Sequence, residues 1–116
     1  TVINSDSAAT QDVYGAYAQI IADIGVDDIY LDQLISRHNA GGTATGDFVV
    51  AIAIGGSGSE VIFITVGGST IQNQEETVNI DLGHTRVPAG SRLAIKHKDN
   101  EASVRSINHT INYSKV

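Results

Sequence analysis

Four histidines, a knot of aspartates and serines set among glycines are the residues of this chain with chemistry to offer. His38, His84, His97 and His109 stand in none of the spacings, such as H-x-x-x-H, that put two metal ligands on one face. His97 and His109 share the parity of the apolar residues in their segments. They should therefore point inward, and could meet if those strands pair. Two inward imidazoles can bind a metal or act as a pH switch. The plainer expectation, and the one favoured here, is two partly buried histidines satisfied by backbone groups. Asp23, Asp27, Asp28 and Asp32 crowd one junction, and oxygen ligands of this kind suit calcium. The segment lacks the glycine and bidentate glutamate of a calcium loop, so a solvated acidic turn is expected.

Gly55-Gly56-Ser57-Gly58-Ser59 is close to a G-x-S-x-G nucleophile elbow, but its last residue is Ser. An elbow leads from a strand into a helix, whereas this stretch joins two apolar alternating runs. It reads as a hairpin turn. No Lys follows to make it a phosphate loop. Asn108-His109-Thr110 and Asn112-Tyr113-Ser114 match the glycosylation acceptor pattern, and strand alternation accounts for their polar residues. Arg92, Lys96, Lys98 and Arg105 gather on one outward face near the C-terminal end. Such a face either orients contacts with acidic surfaces or keeps an outer strand soluble.

The elements that would carry these residues are strands. Residues 47–55 (DFVVAIAIG) alternate bulky Phe48, Val50, Ile52 and Ile54 with Ala51 and Ala53. Residues 60–66 (EVIFITV) are apolar on both faces and are expected to form a central, doubly covered strand. With 47–54 they make a hairpin. Residues 77–82 point Val78, Ile80 and Leu82 inward, and 92–98 point Leu93 and Ile95 inward with Arg92, Lys96 and Lys98 outward. Residues 104–113 place Ile107, His109, Ile111 and Tyr113 on one face. Residues 29–36 read as a further strand, 38–46 as a loop, and 83–91 as a connection with Pro88 at the first central position of a turn. Residues 11–24 fit a helical stripe or a strand, and the β character of the rest favours a strand. Residues 1–10 read as an N-terminal arm, which is either unsupported or laid on this domain or a neighbour.

The expected fold is therefore all-β, an antiparallel jelly-roll-like sandwich of about seven to eight strands. It would be one domain over 11–116 with the arm at 1–10. The chain has 116 residues, a net charge of −6, 12 glycines and no Cys, Met or Trp. Without cysteine there is no disulfide framework and no thiolate chemistry. Stability must then come from the core or from association. The acidic balance argues against a phosphate-backbone partner, and no apolar run approaches the ~18–20 residues of a membrane-spanning helix. The opening residues lack the basic-then-apolar pattern of a secretion signal. Thr1, in a chain with no Met, is expected to follow a removed initiator.

Two stretches carry a resemblance: the Gly-Ser-Gly-Ser-Glu turn of residues 56–60 with its VIFIT strand, and Val87-Pro88-Ala89-Gly90-Ser91-Arg92-Leu93-Ala94 after it. In this order, before a final INYS strand, they resemble small β-sandwich virion proteins of tailed bacteriophages, head decoration proteins and related tail or fibre modules. The likeness spans about residues 46–113. It implies a structural, non-enzymatic role without cofactor or metal. The location would be the outer surface of a phage head, after synthesis in the bacterial host cytoplasm. The partner would be the major capsid protein or another virion protein, the assembly a homotrimer, and neither nucleic acid nor membrane a target. Within that reading Val2, Ile3 and Asn4 of the arm, with Tyr14 and Tyr17 as aromatic anchors, are the expected docking residues. A carbohydrate-binding or fibre/tail β-sandwich module is the alternative, although only six aromatics are present to serve both core and sugar platform.

Overall fold

The computed structural model describes residues 3–6, 8, 13–40, 46–70, 77–99 and 106–115. Among the described residues eight strands form the fold: β1 Ile3–Asp6, β2 Ala18–Ile21, β3 Ile29–Ala40, β4 Gly46–Ile54, β5 Val61–Thr70, β6 Thr77–Val87, β7 Leu93–Asp99 and β8 Ser106–Ser114. They make two antiparallel sheets, ordered β1-β8-β3-β6 and β2-β7-β4-β5, packed as a β-sandwich. Every hydrogen-bonded strand pair is antiparallel. The expected all-β sandwich is thus present.

Its core lies between the sheets. Phe48, Val50 and Ile52 of β4, Leu93 and Ile95 of β7, Ile29, Leu31 and Leu34 of β3, and Ile107 of β8 are all fully buried there. Period-two alternation accounts for β4 and β7, since successive side chains of a strand take opposite faces. Residues 46–54 pair with 61–70 in the expected hairpin. Gly55 closes β4 at φ 127°, and a Cβ there would lie 2.6 Å from the Ser59 carbonyl oxygen, so only glycine fits.

Three expectations are corrected. β5 is an edge strand, not a central one, and Val61 and Ile62 at its start are exposed. The doubly apolar pattern has a local cause. Ile64 pairs with Ile52 but Ile62 with Ala53, so Phe63 is an extra residue in a bulge and parity changes across it. Residues 83–87 belong to β6 rather than to a connection, and β3 continues through residues 38–40 of the expected loop. In the turn that follows β6, the Ser91 N–H donates to the Pro88 carbonyl, and Gly90 has φ 78°. That turn corrects a fourth expectation: Pro88 is its first residue rather than its first central one, which is Ala89, and Gly90 takes the second central position, which needs positive φ. Among the described residues of 11–24, Ala18–Ile21 is strand, while 13–17 have no regular structure.

The turns 22–28, 55–60 and 88–92 meet at one end. Ile24 N donates to the Ser91 carbonyl, Gly90 N to that of Gly25, and Gly55 N to that of Arg92.

Candidate functional site

β1 lies along β8, with Ile3 opposite His109 and Asn4 opposite Asn108. Ile3 is half-buried and packs against the core. Asn4 is exposed and donates its amide to Asn108 Oδ1 at 3.0 Å. Residues 3–6 of the expected arm are therefore a strand of the sandwich. Val2 lies outside the described residues. Between Ile3 and Asn4 on one side and Asp6 on the other, Ser5 turns inward and is 2% exposed. Sequence reasoning missed it, because a lone Ser in a polar segment signals nothing until its neighbours across the sheet are known.

Ser5 is the centre of a buried polar chain. Its Oγ lies 2.5 Å from His97 Nδ1 and 2.8 Å from His109 Nε2. His109 Nδ1 lies 2.8 Å from Ser36 Oγ. The two imidazoles stand edge to face with centroids 5.9 Å apart. The expectation of partly buried histidines satisfied by backbone groups is corrected in burial for both, and in partners for His109. Both are fully buried, and serine hydroxyls are partners to both. They also meet without pairing of their strands: β7 and β8 belong to opposite sheets, so the contact crosses the core.

With both rings neutral, the protons can run in only two directions. In one, Ser36 O–H donates to His109 Nδ1, His109 Nε2–H to Ser5 Oγ, and Ser5 O–H to His97 Nδ1. In the other, His97 Nδ1–H donates to Ser5 Oγ, Ser5 O–H to His109 Nε2, and His109 Nδ1–H to Ser36 Oγ. Burial first, and the neighbouring His97 second, push the His109 pKa down to about 3. The ring is therefore neutral wherever the protein is folded at ordinary pH. The chain ties β1, β3, β7 and β8 together across the sandwich.

The outer face of β7 is different in kind. Lys96 Nζ stands 4.5 Å from the Tyr14 ring centroid and 4.4 Å from that of Tyr17. Lys98 Nζ is 4.9 Å from the Tyr14 ring. The two tyrosines are half-buried, and Gly15 N donates to the His97 carbonyl, which lays the 13–17 segment along β7. Cation–π attraction thus fixes both ammonium groups on one aromatic face. Arg105, expected on the same face, lies outside the described residues.

The aspartates of the acidic junction turn to separate partners. Asp23 Oδ1 accepts from Gly25 N at 2.8 Å. Asp28 accepts from Arg86 Nε at 2.6 Å and from Ala89 N at 2.9 Å, and both bonds hold its carboxyl below the usual range. Against β8, Asp32 is the extra residue of a bulge between Leu31 and Gln33, whereas on the β6 side Leu82, Gly83 and His84 stand opposite it. It faces His84 Nδ1 at 2.6 Å and Ser114 Oγ at 2.9 Å, and these bonds lower its pKa. His84 stacks on Tyr30 at 4.6 Å and has φ 55°, a left-handed conformation uncommon for a side-chain-bearing residue. Among the described residues no group of three or more His, Asp or Glu side chains is placed to hold a metal ion. His38 lies in β3, and its side chain is outside the described set.

The two sequence stretches that carry the virion resemblance meet in space. Arg92 Nη1 reaches Glu60 Oε2 at 3.3 Å and the Gly55 carbonyl at 3.2 Å, while its Nε donates to Gln19 Oε1 at 2.9 Å. Arg92 therefore clamps β2, β7 and the β4–β5 turn. No known protein family and no curated protein matches the sequence.

Proposed function

We propose that this chain is a non-enzymatic structural protein of a virion, a decoration protein bound to the outer surface of a tailed-phage head. The observation that carries the reading is the strand order. Orders β1-β8-β3-β6 and β2-β7-β4-β5 result when a long hairpin, folded between β4 and β5, rolls up so that β1 meets β8, β2 meets β7 and β3 meets β6. That arrangement supports a jelly roll, an architecture of viral capsid and lectin domains. The Arg92–Glu60 clamp adds support, since it joins the two stretches that resemble decoration proteins.

In this reading the chain docks on the major capsid protein or another virion protein as a homotrimer. Contact runs through exposed Asn4 and the edge strand β1. Many copies on one shell reinforce individually weak contacts. Neither cofactor, nucleic acid nor membrane takes part. The test is mass spectrometry of density-gradient-purified particles from a culture carrying the gene. The chain is expected in the particle fraction, at a fixed ratio to the major capsid protein. Particles free of the chain would end the proposal. A glycan array separates the lectin-like alternative, since a decoration protein gives no hits and a carbohydrate-binding module gives a coherent set.

A further inference from the structure

The outer face of β7 holds two ammonium groups over one tyrosine ring, and like charges so placed repel each other. Among the described residues no carboxylate lies within ion-pair distance of Lys96 or Lys98. Ala51 of β4 lies directly opposite Lys96 and carries no charge. Among the described residues the face is thus positive and part aromatic, with no carboxylate to balance its two ammonium groups.

The opposite surface exists on the same chain. The 22–28 turn projects Val26, 94% exposed, between the exposed residues Asp23 and Asp27. The turn is not loose. Its backbone is pinned to Gly90 and Ser91, and Asp23 caps Gly25. An apolar tip flanked by two carboxylates matches a tyrosine pair flanked by two ammonium groups. The two surfaces cannot meet within one domain. β7 leaves the turn end at Leu93, and Lys98 stands five residues further along it, about 17 Å away.

We infer that copies of this chain associate head to tail, the Val26 tip of one copy seating on the Tyr14–Tyr17–Lys96–Lys98 face of the next. Such a contact is heterologous and builds a ring when the rotation closes. A ring of three is the closed form that the virion reading calls for, but the contact stands on the two faces alone and does not depend on that reading. Charge sets its orientation, and the apolar tip excludes water from its centre.

The experiment is sedimentation velocity of the full chain at low and high salt, with charge-reversed variants. The wild type is expected to sediment above the 12.2 kDa of one chain at low salt and to dissociate as salt screens the contact. Lys96→Glu/Lys98→Glu and Asp23→Lys/Asp27→Lys should each sediment as single chains. An equimolar mixture of the two should associate again, in even-numbered species in which the variants alternate, because the tip of each then meets the oppositely charged face of the other. That recovery separates a lost contact from a lost fold. Asp23→Asn/Asp27→Lys retains the acceptor for Gly25 N and should behave like the lysine pair. A monomeric wild type at low salt, an assembly indifferent to both reversals, or a mixture that stays monomeric would each overturn the inference.

Discussion

Strand β7 carries two polar surfaces on its two sides, and they are built by opposite rules. His97 points between the sheets into a dry environment, where it meets Ser5 and, beyond it, His109 and Ser36. Lys96 and Lys98 point the other way, onto two half-buried tyrosine rings. Inside, each polar atom must find a partner, because an unpaired buried group costs its full desolvation. Outside, water satisfies what the protein does not, and charge can be left over for a partner. The inward side accordingly holds the fold, and the outward side is the one proposed for contact.

Ways to break this distinction begin with β1. Removing residues 1–6 takes away Ser5 and the Ile3 contact with the core, and it opens the edge of β8. The loss of stability should exceed that of any single substitution here, with a collapse of the far-UV circular dichroism melting temperature. A full-stability truncation would mean that β1 is not part of the structural unit. Ser5→Ala comes next. It strands a ring nitrogen on each of two buried histidines, for about 2–4 kcal/mol by urea denaturation. Ser36→Ala removes one partner instead of two and should cost roughly half as much.

Acid sharpens the same comparison. His109 is neutral in the folded protein down to about pH 3, but in the unfolded chain it takes up a proton near its ordinary value. Unfolding therefore binds a proton throughout that window, and stability falls as pH drops below about 6.5, by at most about 1.4 kcal/mol per pH unit. Asp28, Asp32 and Glu60 have lowered pKa values, so their contribution is full above their unfolded values and is lost only at lower pH. Between about pH 6.5 and pH 5 the slope thus belongs to histidine, and His109→Gln should flatten it. An unchanged slope would show that the ring titrates freely in the folded state. The smallest effect belongs to the outer face. Lys96→Ala/Lys98→Ala should shift the urea midpoint by little, since repulsion between the two ammonium groups offsets cation–π contacts of about 0.5–1 kcal/mol each.

Much of this division was legible in the sequence. The parity of Lys96, His97 and Lys98 against Leu93 and Ile95 gives the two sides of β7 directly. Period-two alternation likewise places His109 inward beside Ile107. What could not be read is who meets whom. Ser5 reaches His97 and His109 across separations of 92 and 104 residues, and only the strand order brings them together. Bulges hid more. Leu31 and Leu34 are both core residues with opposite parity, because Asp32 is inserted between them relative to β8. The bulge at Phe63 made an edge strand look doubly buried. Alternation identifies the buried face of a regular strand, and an inserted residue exchanges the two faces from that point on.

The most direct test places the two sides of β7 in one experiment. Urea denaturation and low-salt sedimentation would be measured on the wild type, Ser5→Ala and Lys96→Ala/Lys98→Ala. The account predicts that Ser5→Ala takes the larger loss of stability yet still associates under conditions where it is folded, whereas the lysine pair keeps its stability and sediments as single chains. Equal losses of stability in the two variants, or association that survives removal of both lysines, would contradict it.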